Sequence, residues 1–129
     1  MVQVRRIHHI NFAVKDLKAA EDFFIDTFGA KVLRRPDHSG DGLLSTVMDI
    51  GGVTIELLQP IDDTSAEAKL IATRGEGLQS ISFEVDSAEE AVKELEAKGM
   101  RIVGKVLPRR AFIHPKHSFG VMFQIHSKE

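Results

Sequence analysis

Four apolar segments of the chain carry mostly polar side chains at alternate positions. Because successive residues of a β-strand point to opposite faces of a sheet, these side chains would share one face. An imidazole and a carboxylate on that face could bind a metal ion or exchange a proton with a substrate. A concave sheet carrying them would form a binding cup. The set comprises His9 and Asn11, Thr54 and Glu56, Ser80 and Ser82, and Met122, Gln124 and His126.

Glu56 is the first candidate for a functional position. It lies between Ile55 and Leu57, where an unpaired carboxylate would be costly, so it needs a cation, an arginine or a hydrogen-bond donor as its partner. This argues for a functional role without specifying a metal ion. His9 is a candidate metal ligand. The pair His8 and His9 lies at the start of a strand, however, and could equally consist of ordinary polar residues without a functional role.

The end of the chain supplies two further candidates. Gln124 and His126 share the polar face, could contact a ligand and are the candidate catalytic residues, although solvent exposure is the common outcome for a residue as close to a terminus as His126. Arg109 and Arg110 could bind a phosphate or a carboxylate, and a solvated basic pair is the alternative.

Periodicity and capping residues predict the elements that must position these side chains. The segment IHHINFAV, residues 7–14, alternates as a strand does. Helical spacing of apolar residues, with Asp16 as the cap and Gly29 as the stop, predicts a helix over Leu17–Phe28. The Pro, Gly and Asp content of residues 35–42 indicates an exposed loop.

The same order of elements then occurs a second time. The runs LLSTVMDI and VTIELLQP flank a pair of glycines and predict a hairpin, and a short helix in residues 64–77 links the halves. Strand LQSISFEV, an amphipathic helix and a glycine stop follow. Two units favour a closed pseudo-symmetric pair, since a solenoid needs about three or more. In this repeat His9 falls opposite Ser80, and Glu56 opposite Gln124.

Length and composition predict one domain over residues 1–129, with module one at about 5–60, module two at about 76–127 and a short helical linker between them. The net charge of -2 and the lack of Trp and Tyr argue against a nucleic-acid partner. The lack of Cys excludes disulfides and thiolate sites. The N-terminus has no apolar run, so we expect no membrane association and a cytoplasmic location.

The repeat, opening with IHHINFAVKDL, resembles the vicinal oxygen chelate superfamily, which includes glyoxalases, bleomycin-resistance proteins and extradiol dioxygenases. The linker in residues 55–77 and the segment FIHPKHSFGVMFQI are most similar to its methylmalonyl-CoA epimerases. The resemblance implies an α+β fold of two βαβββ modules, whose eight strands form an open cup. It also implies one divalent metal ion (Zn, Co, Mn or Ni), a small-molecule ligand such as an acyl-CoA, and a homodimer.

The family's four metal-ligand positions fall on His9, Glu56, Ser80 and Gln124. Serine is a poor ligand and Gln124 brings no negative charge, so the implied site is reduced to His9, Glu56 and Gln124. The two catalytic glutamates of the epimerases fall on Gln124 and Ser45, neither of which is an equivalent base. The residues placed for substrate binding are Asn11, Ser45, Ser80 and Arg109.

Three hypotheses follow. The first is an isomerase or lyase acting on an acyl-CoA thioester with the reduced metal site. The second is a metal-free protein that binds a small molecule, such as a drug, in the same cup. In this alternative the protein has no cofactor. The third is a different enzyme whose acid or base is His126, Asp49 or Glu84.

Overall fold

The computed structural model of the chain describes residues 1–107 and 110–128. These residues form two compact units, unit I (Ile10–Gln79) and unit II (Met1–His9 with Ser80–Glu129). The strands are β1 (Arg6–Ala13), β2 (Lys31–Arg34), β3 (Leu43–Ile50), β4 (Val53–Pro60), β5 (Gly77–Val85), β6 (Ile102–Leu107), β7 (Arg110–Ile113) and β8 (Met122–Ser127), and the α-helices are α1 (Leu17–Phe28), α2 (Ala66–Arg74) and α3 (Ala88–Ala97).

The predicted α+β class is confirmed, and the two units repeat one topology. In unit I the strands lie in the order β2, β3, β4, β1, and β1 is parallel to β4. In unit II the order is β6, β7, β8, β5, and β5 is parallel to β8. The remaining pairs within each unit are antiparallel. Each unit therefore has the βαβββ arrangement that the internal repeat predicts.

The helix α1 has the bounds that its sequence predicts, because both ends are capped. The Asp16 side chain accepts a hydrogen bond from the Ala19 amide at 3.0 Å. Gly29 ends the helix in the left-handed region, with φ 69°, and its amide donates to the Ile25 carbonyl. Among the described residues, none of the three helices combines the length and the apolar composition needed to cross a membrane.

Each unit has its own apolar core between one face of its strands and one helix. In unit I, Phe12 contacts Phe24 of α1 with ring centroids 5.6 Å apart, beside the buried Met48 and Leu57. In unit II, the buried residues of α3 pack on Val85 and Ile125, and the rings of Phe83 and Phe123 stack at 5.0 Å. Because strands alternate, the polar residues between these positions face away from the helices.

A buried carboxylate joins α1 to the strands of unit I. Glu21 accepts hydrogen bonds from Thr46 Oγ1 at 2.6 Å and Arg35 Nη2 at 2.7 Å, and its side chain is 7% exposed. Burial by itself raises the pKa of Glu21, but the hydrogen bonds from Arg35 and Thr46 outweigh it, so the pKa lies below its ordinary value. Ionised Glu21 therefore stabilises the fold.

We predict that Glu21→Gln lowers the free energy of unfolding by about 1–2 kcal/mol at neutral pH, because the charged partner of Arg35 is lost. The lowered pKa means that the contribution of Glu21 is fully present above its ordinary value of 4.5 and is lost as the pH falls through the folded-state value. Urea denaturation of wild type and variant should therefore give curves that converge in acid. Exposed Glu96→Gln is the control, and an equal loss at all pH values would contradict the prediction.

Candidate functional site

The carboxylate of Glu56 is held by two donors from unit I. Ser45 Oγ donates to Glu56 Oε2 at 2.5 Å, and His38 Nε2 lies 3.2 Å from the same oxygen. The Glu56 side chain is 15% exposed. The expectation that this carboxylate needs a hydrogen-bond donor is confirmed. Ser45, for which the sequence showed no partner, therefore has one in Glu56.

Strand register and a short loop place these side chains. Ser45 lies on β3 and Glu56 on the adjacent β4. Asn11 of β1 is the register partner of Glu56 and is buried. His38 lies in the loop before β3, where its carbonyl accepts from the amides of Asp41 and Leu43. The loop was predicted, but His38 was not among the candidate site residues.

Glu67, in the first turn of α2, adds a second carboxyl group to this part of unit I. Burial is the main cause of its raised pKa, the negative charges of Glu56 and Asp41 raise it further, and the charge of His38 acts in the opposite direction. Sequence reasoning did not single out Glu67, because its EAK context in an amphipathic helix is typical of a solvated face.

A chain of hydrogen bonds links the polar residues of unit II. The Ser82 hydroxyl donates to Gln124 Oε1, and His9 Nε2 lies 3.3 Å from Ser82 Oγ. Since Ser82 has only one proton to give, His9 Nε2 must be the donor to Ser82. In the neutral ring His9 Nδ1 is then an acceptor, and His8 Nδ1, 2.8 Å away, donates to it.

This arrangement does not fit the metal site that the resemblance implies. Both ring nitrogens of His9 are engaged by neighbours, and the amide oxygen of Gln124 already accepts a bond from Ser82. Ser80 is fully buried and is a poor ligand. Across residues 1–107 and 110–128, no group of three or more His, Asp or Glu side chains could hold a metal ion. We therefore derive no reaction step through a metal.

His126 is half-buried rather than exposed, which corrects the expectation drawn from its place near the terminus. Its ring stacks on His8 with centroids 4.3 Å apart, and its Nδ1 donates to the Ser127 carbonyl at 2.8 Å. On the neighbouring strand, Glu84 forms an ion pair with Arg6 at 3.2 Å. This pairing gives Glu84 a structural partner.

The remaining candidates are Arg110, Asp49 and Arg109, and Arg110 is the register partner of His126. Arg110 is exposed at the start of β7. Asp49 lies on β3 as the register partner of Thr54. The substrate-binding candidate Arg109 lies outside the described residues.

Comparison with known proteins gives a consistent relationship over the whole chain. The model of the glyoxalase/bleomycin resistance protein/dioxygenase superfamily matches residues 8–118. The mitochondrial methylmalonyl-CoA epimerase of Dictyostelium discoideum is 28% identical, over 98% of this chain and 81% of that protein.

Solved structures of methylmalonyl-CoA epimerases share the fold. The Mycobacterium tuberculosis enzyme is 25% identical and superposes with a TM-score of 0.89, covering 100% of this chain and 91% of that one. A Streptomyces coelicolor variant in complex with 2-nitronate-propionyl-CoA is 27% identical, with a TM-score of 0.88 and coverage of 98% and 99%. The βαβββ repeat and these matches together mean that the chain belongs to the glyoxalase/bleomycin resistance protein/dioxygenase superfamily.

Proposed function

We propose that this protein is an epimerase-like isomerase that moves the α-proton of an acyl-CoA thioester, with Glu56 as the base. The observation that carries the proposal is the Glu56 carboxylate, which is largely buried and held through one oxygen by Ser45 and His38. The similarity to methylmalonyl-CoA epimerases, one of them bound to a propionyl-CoA analogue, supports a thioester as the substrate class.

The proposed step is a proton transfer. Glu56 takes the proton from the α-carbon, the C–H bond breaks, and its electron pair passes to the thioester oxygen to form an enolate. A hydrogen-bond donor at that oxygen lowers the barrier, and Asn11, the register partner of Glu56, is the proposed donor. Inversion requires an acid on the opposite face of the carbon. The amide of Gln124 cannot supply that acid.

The first test is exchange of the α-hydrogen with solvent, because exchange needs only the base. We expect methylmalonyl-CoA, incubated with the protein in D₂O, to gain one deuterium, as measured by mass spectrometry. Glu56→Gln should slow the exchange by about 10²–10⁴-fold, the usual contribution of a general base. Ser45→Ala should slow it less, because it keeps the carboxylate and removes one donor to Oε2.

Exposed Glu96→Gln is the matched control and should exchange at the wild-type rate. Circular dichroism of each variant checks that it is folded. Exchange by Glu56→Gln at the wild-type rate would reject Glu56 as the base. An absence of exchange in the wild-type protein with methylmalonyl-CoA, ethylmalonyl-CoA and propionyl-CoA would reject the proposed function.

A second function, binding of a small molecule without chemistry, is favoured by one observation. In unit II, polar side chains form hydrogen bonds with one another, and Ser82 and Gln124, which share one such bond, are both neutral. Neutral hydrogen-bonding groups are typical of a site that binds a small molecule rather than a metal ion. We predict that an acyl-CoA ester or an aromatic drug raises the melting temperature, since a ligand at 100 times its Kd stabilises a protein by about 2.7 kcal/mol. Stabilisation without α-exchange would favour this function, and no shift with either class would argue against both.

Divalent-ion binding by His9, Glu56 and Gln124 is a separate proposal. We expect binding to be weak, because His9 and Gln124 would first have to release Ser82. Protein purified without chelators should contain less than one equivalent of Zn, Co, Mn or Ni by elemental analysis, and His9→Ala should abolish what remains. A full equivalent of metal that survives dialysis would contradict this expectation. The homodimer and the cytoplasmic location also remain predictions.

A further inference from the structure

A single exposed aromatic residue in unit II adopts a backbone conformation that suits glycine. Phe119 has φ 61° and is fully exposed, at 103% of its reference area. A bulky residue in the left-handed region costs about 1 kcal/mol or more. A side chain in contact with no core contributes nothing to offset that cost. The stability of the fold therefore does not explain the presence of Phe119. An exposed residue with a strained backbone indicates a binding role.

Basic residues lie close to Phe119 in the chain. His114, Lys116 and His117 precede it in the chain, and the His114 amide donates to the Arg101 carbonyl at 2.8 Å. Burial is the first cause of the lowered pKa of His114, and the charges of Arg101, Lys116 and His117 lower it further. A bound anion would interact favourably with these basic groups. We call Arg101, His114, Lys116, His117 and Phe119 the cationic patch.

The sequence around the cationic patch has an unusual charge distribution. The chain as a whole has a net charge of -2 and 19 Asp or Glu residues, yet residues 97–128 contain neither. This stretch therefore carries no carboxylate of its own to offset its lysines and arginines, and it can attract phosphate groups. The Lys and Arg residues of the stretch are Lys98, Arg101, Lys105, Arg109, Arg110, Lys116 and Lys128.

We propose that the cationic patch binds the phosphorylated adenosine end of an acyl-CoA, with Phe119 stacking on the adenine and Lys116, His117 and His114 facing the phosphates. This inference rests on the proposed function for its choice of ligand. One exposed phenyl ring close to a few basic side chains matches one base and its phosphates, and stacking on a base is tolerant of its sequence. A polynucleotide would need a longer charged surface with several aromatic platforms.

Calorimetric titration with adenosine 3′,5′-bisphosphate, coenzyme A and pantetheine tests the proposal. We expect the first two to bind and pantetheine to bind much more weakly. Phe119→Ala should weaken binding of the bisphosphate by about tenfold or more. Lys116→Gln should weaken it and reduce its dependence on salt. Phe28→Ala, which removes another exposed aromatic ring, and Lys93→Gln are the matched controls and should bind as the wild type does.

A glycine variant separates recognition from folding. Phe119→Gly should melt a few degrees above Phe119→Ala, because it relieves the left-handed strain, yet both should lose the same affinity for the bisphosphate. The NMR titration of His114 gives an independent readout. Bound phosphate should raise the pKa of His114, because it offsets the positive charges of Lys116 and His117.

Wild-type affinity for the bisphosphate in both Phe119→Ala and Lys116→Gln would overturn the proposal. So would a loss of self-association in Phe119→Ala with unchanged nucleotide binding, which would assign the ring to a contact between copies of the chain. The proposed function is tested separately by α-exchange on a methylmalonyl-pantetheine thioester, which lacks the nucleotide. Exchange there without nucleotide binding rejects only the cationic patch, and nucleotide binding without exchange on any thioester rejects only the isomerase.

Discussion

Packing of a helix on one face of the strands is the constraint on which each unit of this protein depends. Phe12 against Phe24 in unit I, and Phe83 with Phe123 in unit II, assign one face to the core. Because side chains alternate along a strand, burial of that face sends every second residue to the other. The polar residues of the site are thus positioned by the apolar residues beside them, and a shift of one residue in register would exchange the two sets.

The two repeats use this common scaffold for different chemistry. In unit I the central group is the charged carboxylate of Glu56, stabilised by Ser45 and His38. In unit II the equivalent position is Gln124, and its amide oxygen is bound by a neutral hydroxyl. The two units therefore present different groups at equivalent positions, an ionisable carboxylate in unit I and a neutral amide in unit II.

The hydrogen-bond chain of unit II also explains why the family's metal site does not transfer simply to this sequence. A histidine ligand must present a ring nitrogen lone pair to the metal. In His9 the Nε2–H group donates a hydrogen bond to Ser82, and the Nδ1 lone pair accepts one from His8. Ser82 in turn directs its proton to Gln124.

The sequence alone determined the features that depend on local physics. The bounds of α1 were predictable because Asp16 and Gly29 satisfy its ends, and the strands that carry Glu56 and Gln124 were predictable because alternation spans each of them. The strands β2 and β7 were not delimited in advance, since four residues are too few for a period to be recognised.

Only the tertiary structure decided which polar side chains meet. His38 comes from a loop, and loop residues carry no periodic signal of their direction, so its approach to Glu56 could not be read from the chain. The pairing of Ser45 with Glu56 depends on the register of β3 and β4, and the raised pKa of Glu67 depends on burial beside Glu56 and Asp41. Sequence patterns fix which face a residue occupies, whereas hydrogen bonds and charge interactions depend on distances between segments that only folding brings together.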